Sequence, residues 1–255
     1  TKVSGPAFSY NYALITMENK IWETHVLRER NLTGKGIKIA VFDDGFKNAD
    51  TISALSHLFK NGYILNTWDF WRKKKNVFDV GGHGTMVLST IAGIWKIKNS
   101  AIKDTEVWLG NAVNAFFLLA RTEHEKLENF PEEEYWLAAV EWADSSGARI
   151  INSSLGYVKE RYFTEELDGE TGLVDYAAKM AARRGILVIN SAGNEGKDKW
   201  HFIIKPADAD SILSVGGIDP FTGVHIAFSS YGPTRDKRVK PEVTGPGRAL
   251  VAHPS

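Results

Sequence analysis

No cysteine occurs among the 255 residues. Disulfides, thiolate-bound zinc and a thiol nucleophile are therefore excluded, while the compartment stays open, because secreted bacterial enzymes also do without cysteine. Proline is scarce at 8 residues, and no stretch has the composition of a linker between domains. Net charge is absent as well: 31 basic residues balance 31 acidic ones. The chain thus has no overall field to hold nucleic acid or an anionic membrane. No apolar run approaches the length of a membrane span, no period of repeats appears, and no segment is low in complexity. The first residue is Thr1 rather than an initiator methionine, and no apolar leader core follows it. A piece excised from a longer protein is expected. One folded domain over residues 1–255 is expected, with 1–33 as a lead-in to its core.

The chain is 43% hydrophobic, and its apolar residues fall into short runs separated by helical stretches. Ile37 to Phe42 follows a glycine turn and reads as a strand buried on both faces, delivering Asp43 at its carboxyl end. From Thr85, the positions Met86, Val87, Ile91, Ile94 and Trp95 suit a helix leading away from His83. Asn114 to Leu119 reads as the next strand. Pro131, with Glu132, Glu133 and Glu134 behind it, starts a helix that Gly147 stops. Arg149 to Ser153 is a strand, Val174 to Arg184 a helix closed by Gly185, and Ile186 to Asn190 a strand again. Ile212 to Val215 and His225 to Phe228 read as two more strands. The alternation predicts an α/β fold of three layers, a mostly parallel sheet with helices on both faces. In such sheets chemistry sits at the carboxyl ends of the strands.

Five short motifs carry the chemistry. Val41-Phe42-Asp43-Asp44-Gly45 ends the first strand, and Gly82-His83-Gly84-Thr85 opens the helix after it. Ile151-Asn152-Ser153-Ser154-Leu155-Gly156 and Asn190-Ser191-Ala192-Gly193-Asn194 end two later strands. Phe228 to Pro233 and, further on, Gly245-Pro246-Gly247 together make the fifth. Each string alone is weak; in this order they resemble the subtilases, the subtilisin-like serine peptidases, from about Gly34 to about Gly247. The resemblance implies a subtilisin-like fold and hydrolysis of peptide bonds through an Asp-His-Ser relay. It implies Asp43 as the carboxylate that orients the base, His83 as that base, and Asn194 as the side-chain donor to the oxyanion. Ser154, Leu155 and Gly156 would pair with an extended substrate, and Ala192 and Gly193 would form the facing wall of a specificity pocket that small residues keep open. It further implies polypeptide substrates, a prodomain outside this chain, and an extracellular or cell-envelope location in a bacterium.

Three departures from the family pattern qualify this expectation. Asp44 stands where many subtilases carry Thr or Ser, and a solvent-facing or turn role is expected for it. Met86 stands where many carry a second histidine, and a packing role is expected. The third departure concerns the nucleophile, which in the family sits in a Gly-Thr-Ser motif beyond the Gly245 to Gly247 segment; Ser255, after His253-Pro254, lacks that setting. The serine is expected beyond residue 255, leaving this chain alone inactive, poorly packed and with an open apolar sheet face. The alternative is a subtilisin-like binding module that has lost catalysis.

Other features carry less. Arg72 to Lys75 beside Trp68 and Trp71 reads as a solvated loop, not as a nucleic-acid patch. Asp208, Asp210 and Asp219 lack the spacing of a calcium loop; no metal and no cofactor are assigned, although a structural calcium is common in the family. A dinucleotide fold is disfavoured, since no Gly-x-Gly-x-x-Gly follows the first strand and Asp43-Asp44 would repel a pyrophosphate.

Overall fold

The apolar runs read from the sequence pair side by side in a computed structural model, which describes residues 6–99, 102–124, 131–158 and 161–254. Ser255 lies outside the described residues. In chain order the elements are α1 (Pro6–Ile21), α2 (Thr24–Glu29), β1 (Lys38–Asp43), α3 (Ser56–Lys60), β2 (Ile64–Asp69), α4 (His83–Ala92), β3 (Ile94–Asn99), β4 (Ile102–Trp108) and β5 (Phe116–Arg121). They continue with α5 (Pro131–Ser145), β6 (Ile150–Ser153), α6 (Leu173–Arg183), β7 (Leu187–Ser191), β8 (Leu213–Ile218) and β9 (Val243–Pro246). Seven strands form one parallel sheet in the order β2-β5-β1-β6-β7-β8-β9, and β3 pairs with β4 in a separate antiparallel hairpin. Among the described residues no helix is long and apolar enough to cross a membrane.

The central strands are apolar throughout because both of their faces are covered. On one face Ala40, Phe42, Leu118, Ala120, Ile151 and Val188 meet α5 and α6. Those helices present Trp136, Ala139, Val140 and Ala143, and Val174, Ala177, Ala178 and Ala181, each set at i, i+3, i+4 and i+7. Phe42 meets Trp136 edge-on at a centroid distance of 5.7 Å, and the indole N–H of Trp136 donates to Ser153 Oγ at 3.2 Å. A fully buried indole needs such a partner. On the other face Ile39, Val41, Phe117 and Leu119 pack on Leu55, Leu58, Leu88 and Ala92 from α3, its preceding turn and α4. The three-layer arrangement predicted from sequence is present.

Two predicted elements take another form. The helix leaving His83 stops at Ala92, and Ile94 and Trp95 open β3 instead. Gly93 turns extended (φ −69°, ψ 149°), and Ile94 and Trp95 then satisfy their backbone by pairing with Trp108 and Val107. Apolar spacing alone does not distinguish the last turn of a helix from the first residues of a strand. His225 to Phe228 is a turn touching the sheet through one bridge, from His225 to Ile218, and the strand beside β8 is the later β9. The carboxylates at the start of α5 also turn inward: Glu132 and Glu133 are buried and pair with Arg161 at 2.7 and 3.3 Å.

The lead-in folds onto the body of the molecule. Leu14 and Ile15 of α1 are buried, Asn19 donates to the carbonyl of Trp108, and Glu18 accepts the Leu250 N–H at 3.5 Å. The Glu18 carboxyl is pushed up to about 7 by burial, with the Leu250 bond pulling the other way. The basic run at Arg72 to Lys75 is a turn held by ion pairs, Arg72 to Asp69 and Asp79, and Lys74 to Asp79.

Candidate active site

The carboxyl end of the sheet gathers the predicted residues. Phe42 of β1 is in register with Ser153 of β6, and Ser153 with Asn190 of β7. One residue past these partners stand Asp43, Ser154 and Ser191, all at the same edge. Strands are about 4.8 Å apart, so the three chain ends span roughly 10 Å.

Asp43 is fully buried, and its Oδ1 accepts the Asp44 N–H at 2.9 Å and the Nδ1 hydrogen of His83 at 2.8 Å. That bond fixes the imidazole tautomer, with the proton on Nδ1 and Nε2 left to exchange one. Asp43 Oδ2 is buried and has no hydrogen-bond partner among the described residues. The hydrogen bond to Asp43 raises the His83 pKa from 6.5 to about 9, against the opposing effect of burial and with help from the charges of Asp43, Asp44 and Glu123. The glycines around the pair permit the approach. A Cβ on Gly84 would stand 2.4 Å from the Gly45 carbonyl and 2.8 Å from Asp43 Cβ. Gly45 and Gly81, both at positive φ, let the aspartate and histidine loops cross with no room for a side chain on either.

Asp44 does not face solvent as the sequence suggested. It is 7% exposed, its Oδ1 accepts the Gly84 N–H at 3.3 Å, and its carbonyl accepts from the Arg121 guanidinium at 2.8 Å. Burial, then the neighbouring Asp43 charge, raises its pKa to about 6, the Gly84 bond and His83 offsetting part of that. The carboxylate turns inward because the crossing of the two loops leaves it no other direction. It ties the histidine loop to β1.

Ser154, Ala192, Gly193 and Asn194 line one cavity of about 380 Å³, whose sheet-side wall includes Ile189 and Val215. Asn194 is exposed at its rim. Asn190, fully buried, donates from Nδ2 to the carbonyls of Leu155 and Ser191 and so holds the two predicted walls together. Gly193 sits at φ +108°, and its carbonyl accepts the Ser230 N–H.

A profile of the subtilase family matches residues 34–254. The chain belongs to the subtilase family. It is 26% identical to a thermostable alkaline protease of Halalkalibacterium halodurans over 88% of this chain and 51% of that one, and 25% identical to the serine protease AprX of Bacillus subtilis over 88% and 49%. Subtilisin BL of Lederbergia lenta is 26% identical over 81% of this chain and 64% of its own length. The chain thus spans about half the length of the first two relatives. Among solved structures, the prenylagaramide maturation protease PagA superposes with a TM-score of 0.64 at 22% identity, over 91% of this chain and 70% of that one.

The space between Gly156 and Gly193 is occupied, although neither glycine has a side chain to fill it. The side chain of Ile204 lies between Gly156 and Gly193, close enough that a Cβ on either glycine would collide with it. Three serines near the site accept hydrogen bonds: Ser153 Oγ from Trp136, Ser229 Oγ from the Gly217 N–H, and Ser230 Oγ from the Glu195 N–H. Among the described residues, the one hydrogen bond of the His83 ring goes to Asp43.

The three acids named from sequence do not converge. Asp208 is fully buried, Asp210 is exposed 4.0 Å from Arg238, and Asp219 accepts bonds from its own turn at Phe221 and Thr222. Asp208 instead joins Asp175 and Asp168, with ligand atoms within 4.8 Å of one another. The Lys205 ammonium fills the position of a cation there, 2.5 Å from Asp175 and 2.9 Å from Asp208. Burial pulls the Lys205 pKa down, but the two carboxylates outweigh it and the net shift is upward. Asp175 is pushed up to about 7, by burial first and then by the Asp208 charge.

Sequence reading missed Asn190, Ile204 and Lys205 as parts of the site. Lys205 could have been noticed: a lysine after the apolar Phe202-Ile203-Ile204, with an aspartate three residues on, departs from the usual exposure of that residue type. Nothing local distinguishes Ile204.

Proposed function

We propose that this chain forms the acid-base and substrate-binding part of a serine endopeptidase, residues 34–254 acting as one catalytic unit. The observation that carries the reading is the buried Asp43 holding His83 at 2.8 Å at the carboxyl edge of the sheet. Asp43 orients the ring and stabilises its charged form; His83 Nε2 takes the proton of a serine hydroxyl as its oxygen attacks the peptide carbonyl. The oxyanion faces the Asn194 amide and a backbone N–H. Collapse of the tetrahedral species breaks the C–N bond, and the proton on His83 goes to the departing amine. Water then hydrolyses the acyl-serine by the same route in reverse.

The reading assigns the nucleophile to a serine after position 255, since neither Ser255 nor any serine of the five motifs has the Gly-Thr-Ser setting of the family's nucleophile. The substrate lies as an added strand along Ser154 to Gly156, facing Ala192 and Gly193. The rate rises with pH as His83 loses its proton, because only the neutral imidazole accepts one.

The test is labelling of the full-length gene product with a serine-directed fluorophosphonate, with His83→Ala and Asn194→Ala variants in parallel. Labelling of the wild type that falls sharply in His83→Ala is expected. A folded full-length product that resists labelling yet binds peptides would refute catalysis and leave a binding module.

A further inference from the structure

Gly156 and Gly193 stand on opposite walls of the cleft, and one side chain touches both. A Cβ on Gly156 would lie 1.9 Å from Ile204 Cδ1 and 2.4 Å from its Cγ1; a Cβ on Gly193 would lie 2.6 Å from Cγ2 and 3.0 Å from Cδ1. The glycines make room, and the isoleucine takes it. Ile204 is 7% exposed. Behind it pack Val158, Leu167 and Trp200, so the side chain cannot retreat without displacing a small core of its own.

Its backbone is held as firmly. The Ile204 N–H donates to the Ala192 carbonyl at 3.1 Å, on one wall. Lys205 exchanges two hydrogen bonds with Tyr157, at 3.0 and 3.2 Å, immediately after Gly156 on the other. The Lys205 ammonium is clamped by Asp175 and Asp208, with no exposure for any of the three side chains. β-Branching also leaves isoleucine few rotamers. Moving the Ile204 backbone aside would strain its bond to Ala192 and the two bonds of its neighbour Lys205 to Tyr157.

We infer that Ile204 determines specificity: it fills the pocket between Gly156 and Gly193 and restricts the substrate side chain entering there to that of Gly, Ala or Ser. A larger side chain would overlap atoms that cannot move away. The inference rests on the reading of these segments as the substrate walls.

The experiment compares peptide anilides that differ only before the scissile bond, with Gly, Ala, Leu or Phe, as substrates of the full-length gene product. Calorimetric binding of the matching acetyl-tripeptide acids, which needs no nucleophile, runs beside it. Since a single methylene in a pocket changes selection by roughly 10 to 200-fold, Ala is expected to be preferred over Phe by about 10²-fold or more. Ile204→Ala should raise the Phe-to-Ala ratio by at least about 10-fold, with Ile204→Val, the milder change in packing, moving it part of the way. A wild type that takes Phe as well as Ala, or a ratio unmoved in both variants, overturns the role of Ile204 while leaving the cleft as the peptide site. Neither cleavage nor binding of any peptide, by wild type or variants, overturns the substrate-wall reading and this inference with it.

Discussion

Replacing Lys205 by methionine removes the cation between two carboxylates, Asp175 and Asp208, whose side chains have no exposure. Asp175 and Asp208 are then left facing each other, each with one oxygen, Oδ1, that already lacks a hydrogen-bond partner. Removing one member of a buried ion pair destabilises by about 3–5 kcal/mol, mainly through the uncompensated charge. The carboxylates can escape that penalty by taking up protons, so the loss must depend on pH. In the wild type Asp175 already titrates at about 7 instead of 3.8. The folded protein thus holds this proton more tightly than the unfolded chain, and stability falls as pH rises through about 7. A shift of that size corresponds to about 4 kcal/mol between the two protonation states.

For Lys205→Met the expected loss is about 3–5 kcal/mol at about pH 8 and about 1–2 kcal/mol at about pH 5, where protonation leaves little more than lost hydrogen bonds. Urea unfolding of the full-length product at both pH values, with equal m-values required, measures the difference. An equal loss at both pH values, or a variant as stable as wild type at the higher one, would refute the assignment of Lys205 as the charge that keeps this cluster folded.

Three further outcomes are expected. His83 should titrate near 9 by NMR, and Asp43→Asn should lower it, since burial is then opposed only by the charges of Asp44 and Glu123; the stability this bond supplies is full below about 6.5 and lost as pH climbs through about 9. An unchanged His83 titration in Asp43→Asn would contradict the geometry. Gly84→Ala forces a Cβ within 2.4 Å of the Gly45 carbonyl and should lower stability by about 1–3 kcal/mol, read from thermal unfolding. On the proposed role of Asn194, Asn194→Ala in the full-length product should lower kcat by about 10²–10³ with KM little changed, the magnitude known for an oxyanion donor in subtilisin.

How far the sequence could be read differs from element to element. β1, β5, β6 and β7 were legible because a strand buried on both faces has to be apolar along its length. The helices α5 and α6 were legible because their buried residues recur at helical spacing and glycines close them. β2 and the lead-in helices were passed over. The hairpin β3-β4 was misread at its start, where Ile94 and Trp95 continue the apolar spacing of α4. β9 was not legible as a strand, because its four residues, Val243 to Pro246, include a glycine and a proline. In the site, Asp43 and His83 were legible because each sits in a glycine-framed string at the end of a regular element. Asp44 was misjudged, since its exposure depends on how tightly a second loop crosses it.

The sequence by itself determined the alternation of strands and helices through the middle of the chain and, by the resemblance its motifs carry, the subtilase family with an aspartate and a histidine at the carboxyl edge. The alternation rests on periodicity and on backbone freedom, which are properties of neighbouring residues; the family and its charge pair rest on the order of the motifs. Only the tertiary structure decided that Ile204 fills the space between Gly156 and Gly193, that Lys205 stands between Asp175 and Asp208, and that Asp44 is buried. Each of these outcomes depends on residues far apart in the chain meeting at van der Waals or hydrogen-bond distance, and the packing of the sheet and its loops brings them there.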